Sequence, residues 1–371
     1  MRILHFFKAA LPHSVGGVEQ VIDQLASGTS RLGAQVDVLA LNTQGNATPV
    51  FRNGHTVHSA SLDFQIASTG FSASVFRKFS QLAREADLIH YHFPWPFMDV
   101  VHFVSGMKKP TVVTYHSDIV RQKYLVNIYR PLMKMFLSHV DQIVATSPNY
   151  VVSSAELAQF KSKVSIIPIG LDKSLYPTPS QGQVEAWRSR YGCQFFAFVG
   201  VLRYYKGLDV LLEAAKGSGC QIVIAGVGPV EQRLKKMAAD LQLENVHFLG
   251  FLPEDEKVAL LKASYSFVFP SNFRSEAFGV SLLEAAMYGK PLISTDIGTG
   301  TSYINKDNET GLVVSPNDSD ALRNSLQWMR DNPIRAGEMG CLARDRYIDI
   351  FTAENMSKSY MKIYASLLKN A

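Results

Sequence analysis

The chain has 371 residues, of which 47% are hydrophobic and 19% charged, so it is a globular protein and not a disordered one. This length is more than one ordinary core accommodates, which predicts two domains. The net charge of +5 comes without a recognition module or a long basic stripe, so nucleic acid is not an expected partner. The three cysteines, Cys193, Cys220 and Cys341, lie far apart. That spacing disfavours a disulfide framework or a zinc site and fits a reducing compartment.

The first half of the chain alternates apolar strand patterns with amphipathic helix patterns, which predicts a parallel sheet with helices on both faces. Helical spacing is clearest from Val18 onward, and Gly33 is the expected C-cap. The N-terminal segment turns polar too quickly for a signal peptide, and no apolar run approaches the roughly 20 residues that span a bilayer. The predicted strands are Ile3–Phe7, Val36–Leu41, Leu88–His92, Thr111–Tyr115 and Gln142–Thr146.

The second half restarts the same pattern after a segment rich in Pro, Ser, Gly and Gln, Leu171–Ser189, which is the predicted linker. The expected domains are residues 1–175 and 190–350, and a C-terminal helix in residues 351–371 is expected to pack back toward the first domain. Two doubly wound domains would face each other across a cleft at the carboxyl ends of their strands. The predicted strands here are Phe195–Val199, Ile222–Ala225, Val246–Phe248, Ser266–Phe269, Pro291–Ser294 and Gly311–Val314.

The most informative segment is Arg274–Ala286, which combines two carboxylates with a Phe-Gly turn and a helix start. Unpaired N–H groups and the helix dipole at such a start attract phosphate. Glu276 precedes the expected terminus, and Glu284 is expected about two turns inside the helix, roughly 12 Å further on. One acid on each side of a bound diphosphate suits a nucleotide-sugar, with a sugar at one end and a ribose at the other.

A second segment, Gly200–Gly207, offers two cations next to glycines after the first strand of the second domain. Arg203 and Lys206 are expected to neutralise a diphosphate leaving group. A lone Arg and Lys are usually solvated surface residues. The glycines, the strand-end position and the later carboxylate pair favour the functional interpretation.

Two further glycine pairs follow strands. Gly16-Gly17 opens the first helix, where a ligand can approach the backbone and an anion is favoured, although a plain loop explains the pair equally well. Gly226 and Gly228 lie either at a nucleotide or in a simple tight turn. The first strand is not followed by the GxGxxG fingerprint, which disfavours a dinucleotide oxidoreductase.

Histidines and acids supply further candidates. His116 follows a predicted strand, so we expect it to act on a sugar or to arrange the backbone at the reacting carbon. His90 and His92 share one face of a strand, but the sequence shows no third metal ligand beside them. The acidic pair at Asp318 has the DxD form of a metal site, and we interpret Asp318 as the N-cap of the following helix instead. No metal site is therefore predicted.

The region Lys108–Phe136 is basic, aromatic and amphipathic. Such a face suits an anionic membrane or a lipid diphosphate, and a core-packed helix with a solvated basic side is an equal alternative. Arg121, Lys123 and Tyr124 are the residues predicted for this acceptor and membrane side.

Together these segments resemble the retaining GT-B glycosyltransferases of family GT4 over nearly the whole chain. The Glu276–x7–Glu284 pattern, the Gly16-Gly17 loop, His116 and Lys206-Gly207 carry the resemblance. Many members have an arginine where this chain has Val201, and Arg203 is expected to take its role. The fold implied is α/β, with two Rossmann-like domains across a cleft.

The resemblance also implies roles for these residues. Glu276, His116, Arg203 and Lys206 would be the catalytic residues, and no metal or other cofactor would be needed. The donor nucleotide-sugar would be bound by Glu284, Phe278, Gly279, Val280, Gly16, Gly17, Gly226 and Gly228. Retention would follow front-face substitution, in which the leaving phosphate accepts the proton of the acceptor.

The sequences of these motifs are similar to those of bacterial enzymes of O-antigen and exopolysaccharide assembly. This implies an α-mannosyltransferase that uses GDP-mannose and a polyprenyl-diphosphate-linked saccharide. Its expected place is the cytoplasm, at the inner face of the membrane. The alternatives are a UDP-sugar transferase of the same fold and, in other classes, a nucleotide-sugar epimerase or a silent nucleotide-sugar-binding module.

Overall fold

The computed structural model describes residues 1–45, 48–66, 69–119 and 123–370. They form two compact units, one of Met1–Leu171 with Thr352–Ala371 and one of Asp172–Phe351. The chain therefore leaves the first unit once, after Leu171, and returns to it at Thr352.

The first unit is a largely parallel sheet flanked by helices. Its strands are β1 (Arg2–Phe6), β2 (Gln35–Asn42), β3 (Val50–Arg52), β4 (His55–Ser61), β5 (Phe64–Ile66), β6 (Thr69–Phe71), β7 (Leu88–Phe93), β8 (Thr111–Tyr115), β9 (Gln142–Ala145) and β10 (Val164–Ile166). Its helices from this part of the chain are α1 (Gly17–Arg31), α2 (Ser74–Glu85), α3 (Pro96–Ser105), α4 (Lys123–His139) and α5 (Pro148–Ser153). The main sheet has the order β10-β9-β8-β7-β1-β2-β4-β3, and only β3 joins it antiparallel. Strands β5 and β6 form a separate hairpin.

The predicted strands of this unit are all present, because strands buried on both faces of a parallel sheet are continuous apolar runs. Helix α1 buries the face predicted from Val18 onward, and Gly33 follows its C-cap residue. The edge strands β3 and β10, the neighbouring strand β4 and the hairpin were not predicted, since they are short or polar.

The second unit repeats the architecture. Its strands are β11 (Phe196–Val199), β12 (Ile222–Ala225), β13 (Val246–Gly250), β14 (Ser266–Phe269), β15 (Leu292–Thr295) and β16 (Gly311–Val314). Its helices are α6 (Gln181–Tyr191), α7 (Leu208–Ala215), α8 (Glu231–Asp240), α9 (Glu254–Ala263), α10 (Val280–Met287), α11 (Thr301–Ile304), α12 (Ser319–Asp331) and α13 (Pro333–Ile350). The sheet order β13-β12-β11-β14-β15-β16 is all parallel and is that of the doubly wound Rossmann fold. The α/β fold class is therefore confirmed.

The predicted linker Leu171–Ser189 is wrong in its second half, where α6 begins at Gln181. Ser180 and Gln183 form a capping box at that start. Few residues of α6 are buried, Val184 and Tyr191 among them, so the helix has no apolar stripe for a periodicity argument to find. The Ser180–Gln183 capping pattern was the sequence feature that could have predicted this helix.

The last helix, α14 (Ala353–Lys369), belongs to the first unit. Thr352 caps its start by accepting a hydrogen bond from the N–H of Asn355. It buries Met356, Tyr360 and Tyr364. The predicted C-terminal helix is therefore present. None of the helices that the structure describes is long and apolar enough to cross a membrane.

Both sheets change winding direction at one place, between β1 and β7 in the first unit and between β11 and β14 in the second. In doubly wound folds, ligands bind outside the carboxyl ends of the strands at this switch point. The loops after these strands are therefore where each unit's chemistry is expected.

Candidate active site

The loops that follow β11 and β14 bring Lys206 and Glu276 together. The Nζ of Lys206 donates to Oε2 of Glu276 at 2.5 Å, and the two residues are only 8% and 9% exposed. The hydroxyl of Ser271 also donates to that oxygen, at 3.5 Å, and the ammonium lies 4.6 Å from the centroid of the Phe269 ring. Two residues predicted as catalytic thus form a buried ion pair at the switch point of the second sheet.

Gly207 allows these two loops to pack so closely. Its φ is +63°, and a Cβ there would lie 1.9 Å from the carbonyl oxygen of Pro270. Any other residue would push the loop that carries Lys206 away from the loop that carries Glu276.

The N-terminus of α10 lies just after Glu276. Gly279 is its N-cap, and no side chain among the described residues caps this end. The ring of Phe278 is buried against that of Phe351, with centroids 6.1 Å apart. A ligand at this turn would therefore meet its backbone and not the Phe278 side chain. The first N–H groups of α10 therefore have no side-chain acceptor, which is the arrangement that attracts an anion.

The predicted depth of Glu284 in this helix is wrong. Because α10 begins at Val280, Glu284 is its fifth residue and lies about 6 Å along the axis, little more than one turn, at about 1.5 Å per residue. The two turns expected from the sequence counted all eight residues after Glu276 at the helical rise, whereas the Phe-Gly turn takes up the first of them.

Glu284 is held by two partners that were not predicted from the sequence. Its Oε1 accepts hydrogen bonds from Nζ of Lys257 at 2.9 Å and from the hydroxyl of Tyr176 at 3.0 Å. Lys257 also pairs with Glu254 at 2.7 Å. Burial alone would lower the pKa of Lys257, but the carboxylates of Glu284 and Glu254 outweigh it and raise that pKa. Lys257 lies in a charged helix and Tyr176 in the predicted linker, so no local signal marked either residue.

Arg203 stands at the start of the same loop as Lys206, and its side chain is exposed. Within the described part of the chain, its guanidinium has no ion-pair partner. Its contact with a diphosphate stays a prediction.

His116 follows β8 in the first unit and is buried among other histidines. Its Nε2 lies 3.0 Å from Nδ1 of His92, whose Nε2 lies 3.0 Å from Nδ1 of His5. Burial lowers the pKa of His116 to about 3, so the ring is neutral at pH 7. His5 was not predicted from the sequence. It joins His90 and His92 because β1 pairs with β7 and places His5 opposite His90.

His5 thus supplies the third histidine that the sequence did not show beside His90 and His92. One nitrogen of each ring lies within 4.8 Å of the others. Both nitrogens of His90 have hydroxyl partners at 2.7 Å, Tyr364 and Thr114. At the acidic pair, Asp318 caps α12 and accepts from the N–H of Ala321 at 2.8 Å, so its N-cap interpretation is confirmed. That no metal is needed stays a prediction.

Comparison with known proteins identifies the class. Two family models match, Glycosyltransferase Family 4 over residues 15–175 and Glycosyl transferases group 1 over residues 184–346. The D-rhamnosyltransferase WbpZ of Pseudomonas aeruginosa is 55% identical over 95% of this chain and 93% of its own length. The O-antigen chain mannosyltransferase C of Escherichia coli is 44% identical over 100% of both chains. The chain belongs to glycosyltransferase family 4.

Solved structures of low sequence identity share the fold of this glycosyltransferase. The sucrose-phosphate synthase of Thermosynechococcus elongatus matches with a TM-score of 0.80 at 21% identity, and each chain is covered to 100%. HepE of Anabaena, solved with UDP-glucose, matches with a TM-score of 0.78 at 19% identity over 99% of this chain and 100% of its own. The GT-B fold predicted from the sequence is confirmed.

The glycines of the second unit have a packing role in this glycosyltransferase. A Cβ on Gly226 would lie 2.0 Å from the carbonyl oxygen of Gly200, and one on Gly228 would lie 2.3 Å from that of Leu202. They let the loop after β12 lie directly against the loop after β11. Their predicted contact with the donor stays a prediction.

Gly16 and Gly17 are the N-cap and the first residue of α1. The carboxylate of Glu19 occupies the first turn of α1 and accepts from the hydroxyl of Ser14 at 3.2 Å. A Cβ on Gly16 would lie 2.5 Å from Oε2 of Glu19. The positive end of this helix therefore already faces a carboxylate, and donor binding here stays a prediction.

The predicted acceptor side lies around α4. Arg121 falls outside the described residues, and Lys123 and Tyr124 are described only as the first backbone residues of α4. Further along the helix, Ile128 is 80% and Met135 is 50% exposed. Seven residues apart, these two side chains share one face of the helix.

Proposed function

We propose that this family 4 glycosyltransferase transfers a hexose of manno configuration from a GDP-linked donor. The acceptor is a polyprenyl-diphosphate-linked saccharide in O-antigen or polysaccharide synthesis. The observation that carries the proposal is the buried Lys206–Glu276 pair beside the uncapped start of α10. It puts a cation, a row of N–H groups and a carboxylate at one switch point, which is the set of groups that a sugar diphosphate requires.

Each group has a role in this proposal. The N–H groups of α10 bind phosphate oxygens, and Lys206 can contact both Glu276 and the diphosphate because an ammonium has three N–H donors. Glu276 accepts hydrogen bonds from hydroxyls of the hexose, and Glu284 from those of the ribose. Lys257 and Tyr176 keep the Glu284 carboxylate in place, since both bind its Oε1.

The reaction proceeds with retention in this proposal. The sugar–phosphate bond breaks, the acceptor hydroxyl attacks the same face of the sugar, and the leaving phosphate takes the proton of that hydroxyl. Lys206, Arg203 and the end of α10 stabilise the charge that develops on the nucleoside diphosphate. No metal ion is required, because these fixed positive groups take its place.

Two manno-configured sugars are candidates. The relative at 44% identity is a mannosyltransferase by name, and the one at 55% is a D-rhamnosyltransferase. D-rhamnose is 6-deoxymannose, so the two donors differ by one hydroxyl group. We take GDP-mannose as the first donor to test and GDP-D-rhamnose as the second.

We expect purified protein with a lipid-linked acceptor to use one of these GDP-sugars at least about 100-fold better than UDP-glucose or UDP-N-acetylglucosamine. The reason is that a base pocket built for one set of hydrogen bonds leaves polar groups unpaired with another base. Mass spectrometry of the product measures transfer, and NMR of the new linkage gives its anomeric configuration. EDTA is expected to leave the rate unchanged.

Equal use of UDP-sugars would contradict the donor assignment, and loss of transfer with EDTA would contradict the metal-free mechanism. A changed sugar configuration in the nucleotide-sugar, formed without acceptor, would indicate an epimerase instead. Binding of the nucleotide-sugar without any turnover would indicate a silent binding module.

We also propose that α4 touches the cytoplasmic face of an anionic membrane. Its described exposed residues form one continuous arc, in which Ile128, Pro131 and Met135 are apolar and the neighbouring Arg130 and Lys134 are basic. Apolar groups beside cations suit the boundary between head groups and acyl chains. A lipid-linked acceptor lies at that boundary.

Replacing Ile128 and Met135 together by Glu is expected to reduce binding to phosphatidylglycerol vesicles at least about tenfold, because two apolar side chains leave the acyl boundary and two negative charges enter it. Vesicle flotation measures the bound fraction. A matched control makes the same change to Glu at Ile334 and Ile348 of α13, whose side chains are 82% and 53% exposed. Equal binding by both variants would show that α4 is not the membrane surface.

A further inference from the structure

A buried chain of three histidine rings leads from the middle of the first sheet to His116. We propose that this chain fixes His116 in the tautomer that carries its proton on Nδ1, so that His116 is a hydrogen-bond donor and not a general base. His92 and His5 are then positioning residues. The inference rests on the proposed function, since it assigns the way in which His116 serves sugar transfer.

The proton count follows from the geometry. The chain contains two hydrogen bonds, between His5 Nδ1 and His92 Nε2 and between His92 Nδ1 and His116 Nε2, each 3.0 Å long. All three residues are at most 6% exposed, and burial disfavours a charged ring, so each ring carries one proton. Each bond needs one hydrogen, and His92 has only one to give.

Only two arrangements satisfy both bonds. In the first, the proton of every ring is on Nδ1, so that His5 donates to His92 and His92 donates to His116. In the second, every proton is on Nε2 and both donations run in the opposite direction. The three tautomers therefore change together, and the ring of His92 couples the other two.

The far end of the chain selects between the two arrangements. Nε2 of His5 is buried and has no hydrogen-bond partner among the residues that the structure describes. The second arrangement would put an N–H group at that atom with nothing to accept it, and buried N–H groups without an acceptor are rare. The first arrangement leaves only a lone pair there. Its terminal N–H is on His116, which is 6% exposed where His5 is 0% exposed, so that group can reach water or a ligand, and this arrangement is favoured.

His90 confines the chain to these three rings. Although it is stacked on His92 with centroids 4.5 Å apart, its Nδ1 is bound to the hydroxyl of Tyr364 and its Nε2 to Thr114. The hydroxyl of Thr114 also bonds that of Tyr360 at 2.7 Å. Tyr364 of α14 and Thr114 of β8 thus occupy both nitrogens of His90, which has none left to offer to His5.

The consequence for His116 is a fixed direction of hydrogen bonding. Its Nε2 is an acceptor used by His92, and its Nδ1–H has no partner among the described residues. It stands at the carboxyl end of β8, at the edge of the sheet where ligands of this fold bind. His116 therefore offers a hydrogen bond to an oxygen of the substrate. His116 therefore does not take the proton of the acceptor hydroxyl. This agrees with the proposed mechanism, in which the leaving phosphate accepts that proton.

The test is nitrogen NMR of protein labelled with 15N-histidine, with the His116 signals identified by their loss in a His116→Gln variant. We expect a protonated Nδ1 and a bare Nε2 for His116 in the free protein, a measurement that needs no transferase activity. His92→Asn puts an amide N–H at the Nδ1 position and is expected to retain this tautomer and most of kcat. His92→Gln puts its amide at the Nε2 position, and we expect it to release His116 to the Nε2–H form and to lower kcat about 10- to 100-fold.

The matched control is His102→Asn, another buried histidine of the first unit, bonded to Tyr91 and His139. It is expected to leave the His116 signals unchanged. A proton on Nε2 of His116 in the unsubstituted protein, equal effects of His92→Asn and His92→Gln, or a stoichiometric metal ion bound by His5 and His92 would each overturn the proposal. If the tautomer is as stated and purified protein transfers no sugar, the proposed function fails while the histidine chain stands.

Discussion

Replacing Lys206 by Met or Glu276 by Gln is expected to lower kcat/KM for sugar transfer by about 100- to 1,000-fold, the loss typical of one preorganised charge-stabilising group. Lys206 meets the charge that forms on the departing diphosphate, and Glu276 meets the hydroxyls of the sugar. The assay is initial-rate kinetics with the GDP-sugar and a lipid-linked acceptor.

Measuring the unfolding free energy of the same variants distinguishes a catalytic role of the pair from a purely structural one. Each single change leaves its partner as a buried charge without a counter-charge, which costs about 3–5 kcal/mol of unfolding free energy. The double variant removes both charges and is expected to regain most of that stability, while transfer stays lost. Recovery of transfer in the double variant would show that the pair is only structural.

An exposed pair of equal length provides the control. Lys358 and Glu354 are also 2.5 Å apart, but their side chains are 55% and 69% exposed. Removing either is expected to leave both the stability and the transfer rate essentially unchanged, because water screens an exposed ion pair. A large effect there would mean that the length of the ion pair, and not its burial at the switch point, governs the outcome.

The sequence could predict those parts of the site whose position is determined by residues nearby in the chain. The loops that carry Lys206 and Glu276 begin directly after apolar strands, and the carboxyl ends of such strands meet at one sheet edge, so the proximity of the two residues follows from the strand pattern. The course of the chain around Gly279 is less predictable, because the length of a turn before a helix depends on packing such as that of Phe278 on Phe351. The depth of Glu284 was wrong for this reason.

The missed residues depend on contacts between distant segments. Tyr176 is 108 positions from Glu284, and Lys257 is 27 positions away in a helix where lysine is ordinary. His5 lies in an apolar strand, and only the register of β1 on β7 shows that it faces His90. A single sequence contains no measure of that register, so polar groups that meet inside the sheet were not found.

Lowering the pH from 7 to 5 is expected to destabilise the first unit strongly. Burial lowers the pKa of both His5 and His116 to about 3, from an ordinary value of 6.5, and it lowers those of His90 and His92 as well. Between a pH of about 3 and 6.5, the unfolded chain therefore binds more protons than the folded chain. The unfolding free energy therefore falls as the pH drops below 6.5, by up to about 1.4 kcal/mol per pH unit for each histidine.

The measurement is urea unfolding followed by the fluorescence of Trp95, which is buried in the first unit. Replacing Trp187 and Trp328 by Phe removes the signal of the second unit. Removing one ring of the chain, in His5→Asn, is expected to reduce the pH slope between 5 and 6.5 by about one proton, whereas His247→Asn in the second unit leaves it unchanged. A first unit whose stability is constant or rises on acidification would show that the buried histidines are charged. That result would also remove the proton count on which the direction of hydrogen bonding at His116 depends.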